Sequence, residues 1–187
     1  AVPRNVVTDA ATISSCEKGG RWEEALSLLT VASGPGQLRR SVVAWNAAAS
    51  ACEKASRWES ALALASAMRG LAVERDVFTH GACISACSRG GAWRASLALL
   101  RWLPCDAVRG NIVTCGAAVG ACENCGRWAA AARLLASLGE GRLRGNAVVC
   151  SAAVSACEKA GRWDWSLALL RDSRRRGLEA ADASYNA

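Results

Sequence analysis

Groups able to do chemistry are few in this chain, and their spacing is more informative than their number. His80 is the only histidine. General acid/base or triad chemistry needs a positioned set of partners, and none stands at a recognisable interval from it. Cys122-Glu-Asn-Cys125 is the one Cys-x-x-Cys pair. Tetrahedral zinc normally takes four ligands, no second pair has suitable spacing, and Cys115 does not complete a set. No metal, no cofactor and no catalytic constellation is therefore expected, nor a small-molecule substrate.

The remaining candidates are periodic. Cys16, Cys52, Cys87, Cys122 and Cys157 recur at intervals of 36, 35, 35 and 35 residues, and Trp22, Trp58, Trp93, Trp128 and Trp163 follow them in step. Lys18, Lys54, Arg89 and Lys159 hold one further site of the same register, which Asn124 interrupts. A row of cations at a fixed interval is the arrangement that tracks a polyanion. The alternative for each is a solvated charge paired with Glu17, Glu53 or Glu158.

Such a period demands elements of matching length. Phrases such as Cys52-Glu-Lys-Ala-Ser-Arg-Trp58 and Cys157-Glu-Lys-Ala-Gly-Arg-Trp163 are near-copies, so the 187 residues form an array rather than one ordinary domain. In the unit 42–76, the stretch from Val43 to Lys54 places small residues at Ala48, Ala49, Ala51 and Cys52, as a closely packed helix requires. Ala55-Ser56 breaks it, and Gly19-Gly20, Gly90-Gly91, Gly126 and Gly161 do so elsewhere. From Trp58 onward, Trp58, Ala61, Leu62, Ala65 and Met68 fall on one helical face. Glu23, Glu24, Glu59 and Asp164 lie in first turns, where the helix dipole favours negative charge. Each unit is thus two antiparallel helices, and no strand is expected. The tryptophans begin the same stripe as the leucines, which favours core packing over base stacking. Trp45, Trp102 and Trp165 fall outside that register.

Composition sets the surroundings. Apolar residues make up 52% of the chain, and 23 Lys+Arg against 16 Asp+Glu give a formal charge of +7, an excess that suits a polyanionic partner. All the bases except Lys18, Lys54 and Lys159 are arginine. No apolar run approaches a membrane span, so no membrane partner is expected. Cysteines held one repeat-width apart should not pair, which points to a reducing compartment. Pro3-Arg4-Asn5 resembles the tail of an earlier repeat and Ser184-Tyr185-Asn186-Ala187 the head of a later one. Any targeting segment would lie outside this sequence.

The period, the paired helices, and phrases such as Val42-Val43-Ala44-Trp45-Asn46-Ala47 and Arg175-Arg176-Gly177-Leu178-Glu179 resemble the pentatricopeptide repeat family over essentially the whole chain. Val6-Val7-Thr8 and Ile112-Val113-Thr114 resemble the family's repeat opening, and Ser184-Tyr185-Asn186 its first-helix start. The chain departs from the family in its register tryptophans, where an aliphatic is usual. It departs also in Arg75 and Ala180 where Pro is frequent, and in having Met only at Met68. The tetratricopeptide family, with its 34-residue period and protein-binding groove, is the alternative, and these intervals do not suit it.

The resemblance implies an all-α, right-handed superhelix of five repeats, approximately 6–41, 42–76, 77–111, 112–146 and 147–181, with partial repeats at both ends. It implies a single-stranded RNA partner read one base per repeat, and recruited RNA-processing proteins besides. In this family the fifth and last residues of a unit meet the base edge. Those are Asn46 with Asp76, a combination that resembles a uracil reader, then Gly81 with Asn111 and Gly116 with Asn146, which lean toward adenine. Ala10 with Ser41 and Ser151 with Ala181 match no trusted combination. The apolar second residues Val7, Val43, Phe78, Val113 and Val148 are implied to wedge between bases, and packing on neighbours is the alternative. Lys18, Lys54, Arg89 and Lys159 occupy the phosphate-contacting site. Arg171, Arg174, Arg175 and Arg176 could also touch phosphate, or simply favour a helix C-terminus. The implied setting is a mitochondrion or chloroplast.

Overall fold

Small side chains on one helix of each pair set the architecture. In the computed structural model, which describes residues 6–31, 41–103, 110–140 and 147–175, ten helices follow one another and no strand occurs among the described residues. They are α1 (Val6–Lys18), α2 (Trp22–Val31), α3 (Val42–Lys54), α4 (Trp58–Gly70), α5 (Val77–Arg89), α6 (Trp93–Trp102), α7 (Ile112–Asn124), α8 (Trp128–Glu140), α9 (Ala147–Lys159) and α10 (Trp163–Arg175). Each odd-numbered helix packs most extensively on a neighbouring odd-numbered helix, while each even-numbered one closes a hairpin with its predecessor. The result is an all-α solenoid of two layers.

The inner contacts of the odd layer are made by Ala44, Ala47, Ala48, Ala51 and Cys52 on α3, Cys83, Ile84, Ala86 and Cys87 on α5, and Ala118, Val119, Ala121 and Cys122 on α7, all buried. Alanine and cysteine add little bulk and no buried charge, so neighbouring backbones approach closely. The described cysteines are all free thiols. Burial pushes the thiols of Cys52, Cys87 and Cys122 up to about 11. For Cys83, fully enclosed, burial again leads and carries the value to about 12.

The interhelical turn repeats one capping pattern. Backbone N–H groups of Arg21, Arg57, Ala92, Arg127 and Arg162 donate to the carbonyls of Cys16, Cys52, Cys87, Cys122 and Cys157 at 2.8 to 2.9 Å. This is the six-to-one bond of a Schellman cap, and it needs a left-handed residue just before its donor. Gly20, Gly91, Gly126 and Gly161 supply it with φ between 60° and 72°, and Ser56 adopts φ 55° in their place. The recurrent cysteine therefore serves twice, as a small core side chain and as a carbonyl cap.

The register tryptophans are not fully enclosed. Trp22, Trp58, Trp93 and Trp128 are half-buried against the core, and the next repeat covers them. The guanidinium of Arg57 lies 4.6 Å from the Trp22 ring centre, that of Arg127 5.3 Å from Trp93, and that of Arg162 4.4 Å from Trp128. Ala92 interrupts the series. There Gly90 takes over, since a β-carbon on it would meet the Trp58 ring at 2.3 Å. Trp163, on the last described helix, is 74% exposed, so core packing does not hold for that member of the row. Of the out-of-register residues, Trp45 is buried, Trp102 lies under Arg69 at 4.3 Å, and Trp165 tilts against Trp128.

Candidate nucleic-acid interface

The N-terminal edge of the odd layer brings Asn46 and Asp76 together across 30 residues. Asp76 is the N-cap of α5: its Oδ1 accepts the Thr79 backbone N–H at 2.8 Å, and the Thr79 hydroxyl reaches back toward the Asp76 N–H, which completes a capping box. Capping fixes where the carboxylate points. Its second oxygen then accepts from Asn46 Nδ2 at 2.9 Å, and the Thr79 hydroxyl donates to Asn46 Oδ1 at 2.6 Å. Burial works to raise the Asp76 pKa. Bonds from the Thr79 N–H, the Asn46 amide, the Thr79 hydroxyl and the Phe78 N–H outweigh it and hold the carboxyl below its ordinary value.

The next site shares the cap but not the polar partner. Asn111 caps α7 by accepting from the Thr114 N–H at 2.9 Å, yet the facing position is Gly81. A β-carbon on Gly81 would approach only the Thr114 methyl, at 3.9 Å, and one on Gly116 only Val149, at 3.7 Å. Neither glycine is imposed by crowding. Neither contributes a side chain where Asn46 puts an amide. Ser151 sits half-buried on α9, and Asn146 lies outside the described residues.

Beside these groups runs a row of exposed apolar side chains. Val43, Phe78, Val113 and Val148 are the second residues of α3, α5, α7 and α9, and they are 67%, 74%, 65% and 67% exposed. Packing on neighbours does not account for that exposure. Val7 holds the same place on α1, but its side chain lies outside the described residues.

The cations end the same helices at the opposite pole. Eleven residues separate Val43 from Lys54, about 16 Å at 1.5 Å per residue, so the structure does not bring them to the groups expected from the sequence to read bases. It pairs them instead with carboxylates of the preceding repeat. Lys54 meets Glu17 at 3.0 Å, Arg89 meets Glu53 at 3.6 Å, and Lys159 meets Glu123 at 3.1 Å. Ser50 and Ser155 add hydroxyl donors to Glu17 and Glu123. Glu123, not Glu158, is thus the partner of Lys159. Where the cation row is interrupted, Asn124 donates to the Ser88 carbonyl at 3.2 Å. Lys18 is exposed at the end of α1. The cations remain roughly half exposed, so such pairs contribute little stability and leave charge open to solvent. Arg171, Arg174 and Arg175 are exposed on α10, and Arg176 lies outside the described residues.

Thr79 escaped the sequence reading, although Asp76-x-x-Thr79 and Asn111-x-x-Thr114 carry the spacing of a capping box. His80 is buried in α5. Among the described residues, no group of three or more His, Cys, Asp or Glu side chains is placed to hold a metal ion. No described helix is long and apolar enough to cross a membrane.

Comparison with known proteins agrees with this architecture. A family model described as a PPR repeat matches residues 11–30 and 148–178. A search of curated proteins finds no match. Among solved structures, the chain is similar to the pentatricopeptide repeat protein PPR10 from maize, with a TM-score of 0.71 and 25% identity over 95% of this chain and 25% of that one. It is similar also to PPR10 in complex with an 18-nt psaJ RNA element, at a TM-score of 0.67, 22% identity, and 98% and 30% coverage. The PPR domain of Arabidopsis thaliana protein-only RNase P 1, in complex with tRNA, shares the fold at a TM-score of 0.74 and 16% identity, covering 94% of this chain and 92% of that one. This chain thus spans about a quarter of the length of maize PPR10. Period, two-layer packing, family model and structural likeness agree: the chain is an all-α helical-repeat array, similar in two segments to the PPR repeat model and in fold to pentatricopeptide repeat proteins.

Proposed function

We propose that the array binds single-stranded RNA, one base per repeat, with the N-terminal edge of the odd helices as the base-reading row. The observation that carries this reading is the direct contact of Asn46 with Asp76 at 2.9 Å, between exposed Val43 and Phe78. A base entering there meets an amide that donates and accepts, with an apolar face on either side. Asn46 with Asp76 reads uracil. Gly81 with Asn111 and Gly116 with Asn146 favour adenine weakly, so the core read from the RNA 5′ end is U followed by A and A. Ser151 holds the same position in the repeat after them. Lys18, Lys54, Arg89 and Lys159 contact phosphates, the last three exchanging or sharing their glutamate partners.

In this reading the chain performs no chemistry of its own. It positions a transcript in a mitochondrion or chloroplast for editing, splicing, processing or stabilisation by recruited proteins. The test is a competition binding assay with RNAs that differ at one nucleotide. A good base contact is worth about 1 to 3 kcal/mol of discrimination, and Asn46→Thr should move the preference toward guanine while phosphate contacts persist. Equal binding to all sequences would reduce the array to a nonspecific RNA binder, and no binding at low salt would favour a protein-binding scaffold.

A further inference from the structure

Thr79 does more than cap a helix. A hydroxyl has one hydrogen to give, and three groups surround this one: Asn46 Oδ1 at 2.6 Å, Asp76 Oδ1 at 3.0 Å and the Asp76 N–H at 3.4 Å. Asp76 Oδ1 already receives the Thr79 N–H at 2.8 Å. The hydrogen therefore goes to the closest acceptor, the Asn46 carbonyl oxygen, and the hydroxyl oxygen stays free to accept from the Asp76 N–H.

This matters because a primary amide has nearly the same outline either way round, and only its partners decide which end is oxygen. Asn46 has two such partners, and they agree. The Asp76 carboxylate only accepts, which draws Nδ2, and the Thr79 hydroxyl donates, which draws Oδ1. One N–H and one lone pair of the amide then face outward at set places. Uracil and cytosine differ by exchanging donors for acceptors along the pairing edge, so an amide held one way round favours one of them and a turned amide the other.

The neighbouring repeat supplies the contrast. Thr114 is buried to the same degree, caps α7 through the same box, and faces Gly81. With no side-chain acceptor opposite, its hydroxyl turns to the Asn111 backbone carbonyl at 2.8 Å. Of these two capping hydroxyls, that of Thr79 is the one aimed at a base-reading group.

We infer that Thr79 is a positioning residue for base selectivity: its hydroxyl holds the Asn46 amide in one orientation and so sets the preference for uracil over cytosine at that repeat. This rests on the RNA reading above. The experiment compares affinities of the whole chain for two RNAs that differ as uracil or cytosine at the Asn46 register. Thr79→Val, which keeps the shape and loses the hydroxyl, is measured beside Thr79→Ser, which keeps it, and Thr114→Val, which makes the same capping loss one repeat away. Thr79→Val should lower the uracil-to-cytosine affinity ratio about tenfold, the effect of a bond worth about 1.4 kcal/mol. Thr79→Ser and Thr114→Val should keep it, and both valine variants should shift thermal unfolding equally. Thr79→Ala reads the same ratio if Thr79→Val does not fold. A ratio unchanged in the hydroxyl-free variants, or lowered equally by Thr114→Val, overturns the inference alone. A wild-type chain with no preference at that register overturns the base-reading part of the RNA reading and the inference with it, and no RNA binding at all overturns both outright.

Discussion

Trp93 and Trp163 are the same position in two repeats, and their surroundings differ enough to separate what holds the array together. The Trp93 ring is half-buried against the cluster that includes Val119, Cys122 and Ala131, with the guanidinium groups of Arg94 and Arg127 each 5.3 Å from its centre. A tryptophan side chain presents up to about 250 Å², so half of it removed from water stabilises by about 3 kcal/mol at 25 cal/mol per Å². An exposed cation over the ring adds about 0.5 to 1 kcal/mol. Trp93→Ala should therefore cost between about 3 and 4 kcal/mol. Trp163 is 74% exposed, and among the described residues no guanidinium lies over its ring. Its replacement by Ala should cost only about 1 to 2 kcal/mol on the same area scale. Urea unfolding followed by circular dichroism, fitted with nearest-neighbour coupling between repeats, measures both. A double-mutant cycle of Trp93→Ala with Arg127→Gln should return a coupling of about 0.5 to 1 kcal/mol. Equal costs at the two tryptophans, or zero coupling, would refute the view that each repeat's arginine fastens the previous repeat's ring. A Trp93 variant that keeps its stability and loses RNA binding would make the ring a base platform instead.

Two further outcomes follow from groups on the odd helices. If Lys54 neutralises a phosphate, Lys54→Gln should flatten the log-log salt dependence of RNA binding by about 0.7. Glu17→Gln should raise affinity at low salt by releasing that lysine, and no change in either would leave the pair a solvated contact. The buried thiols give a pH dependence of definite sign. An unfolded thiol ionises near its ordinary value of 9, whereas burial holds Cys52, Cys87 and Cys122 up to about 11 and Cys83 up to about 12. Their contribution is fully present below pH 9 and lost as the pH rises through 11. The melting temperature should fall between pH 8 and 10.5, less steeply in Cys83→Ala, and a flat profile would contradict the burial of these thiols.

The helical hairpins were legible because their signals are local: small residues before the turn, a left-handed residue in it, an aromatic opening the next helix. Ser56 was readable as a turn without a glycine because its neighbours in the period carry one. What sequence could not supply was which repeat answers which. Lys54 follows Glu53 directly, but consecutive residues on a helix do not face each other, and the partner is Glu17 of the preceding repeat. Lys159 passes over Glu158 for Glu123 in the same way. Arg57 stands beside Trp58 in the sequence and covers Trp22 in space. Each follows from the superhelical stagger between repeats, which no single unit encodes. Thr79 was missed for the same reason: its cap is local, but its bond to Asn46 spans 33 residues.

The spacing of the odd helices bears on why the exposed row beside Asn46 is apolar. Packed helices stand about 8 to 10 Å apart, whereas stacked bases along a nucleic-acid strand rise by about 3.4 Å. A strand that delivers one base to each odd helix cannot keep its bases stacked. Every base then loses contact on both faces, and water would cover surfaces that stacking had hidden. Val43, Phe78, Val113 and Val148 stand at the starts of successive odd helices, each largely exposed. On the RNA reading, these side chains enter the gaps between separated bases and replace the lost stacking with apolar contact. Phe78 should do this best, because an aromatic face under a base is worth about 1 to 3 kcal/mol. On that reading it borders the base proposed for Asn46 and Asp76, the one described site with polar groups from both sides. Selectivity and affinity are thereby concentrated at one register, while the glycine-faced repeats extend the grip with little preference. Phe78→Ala should accordingly weaken uracil-bearing and cytosine-bearing RNAs by the same factor. A change in their ratio would mean that Phe78 reads the base edge rather than its face.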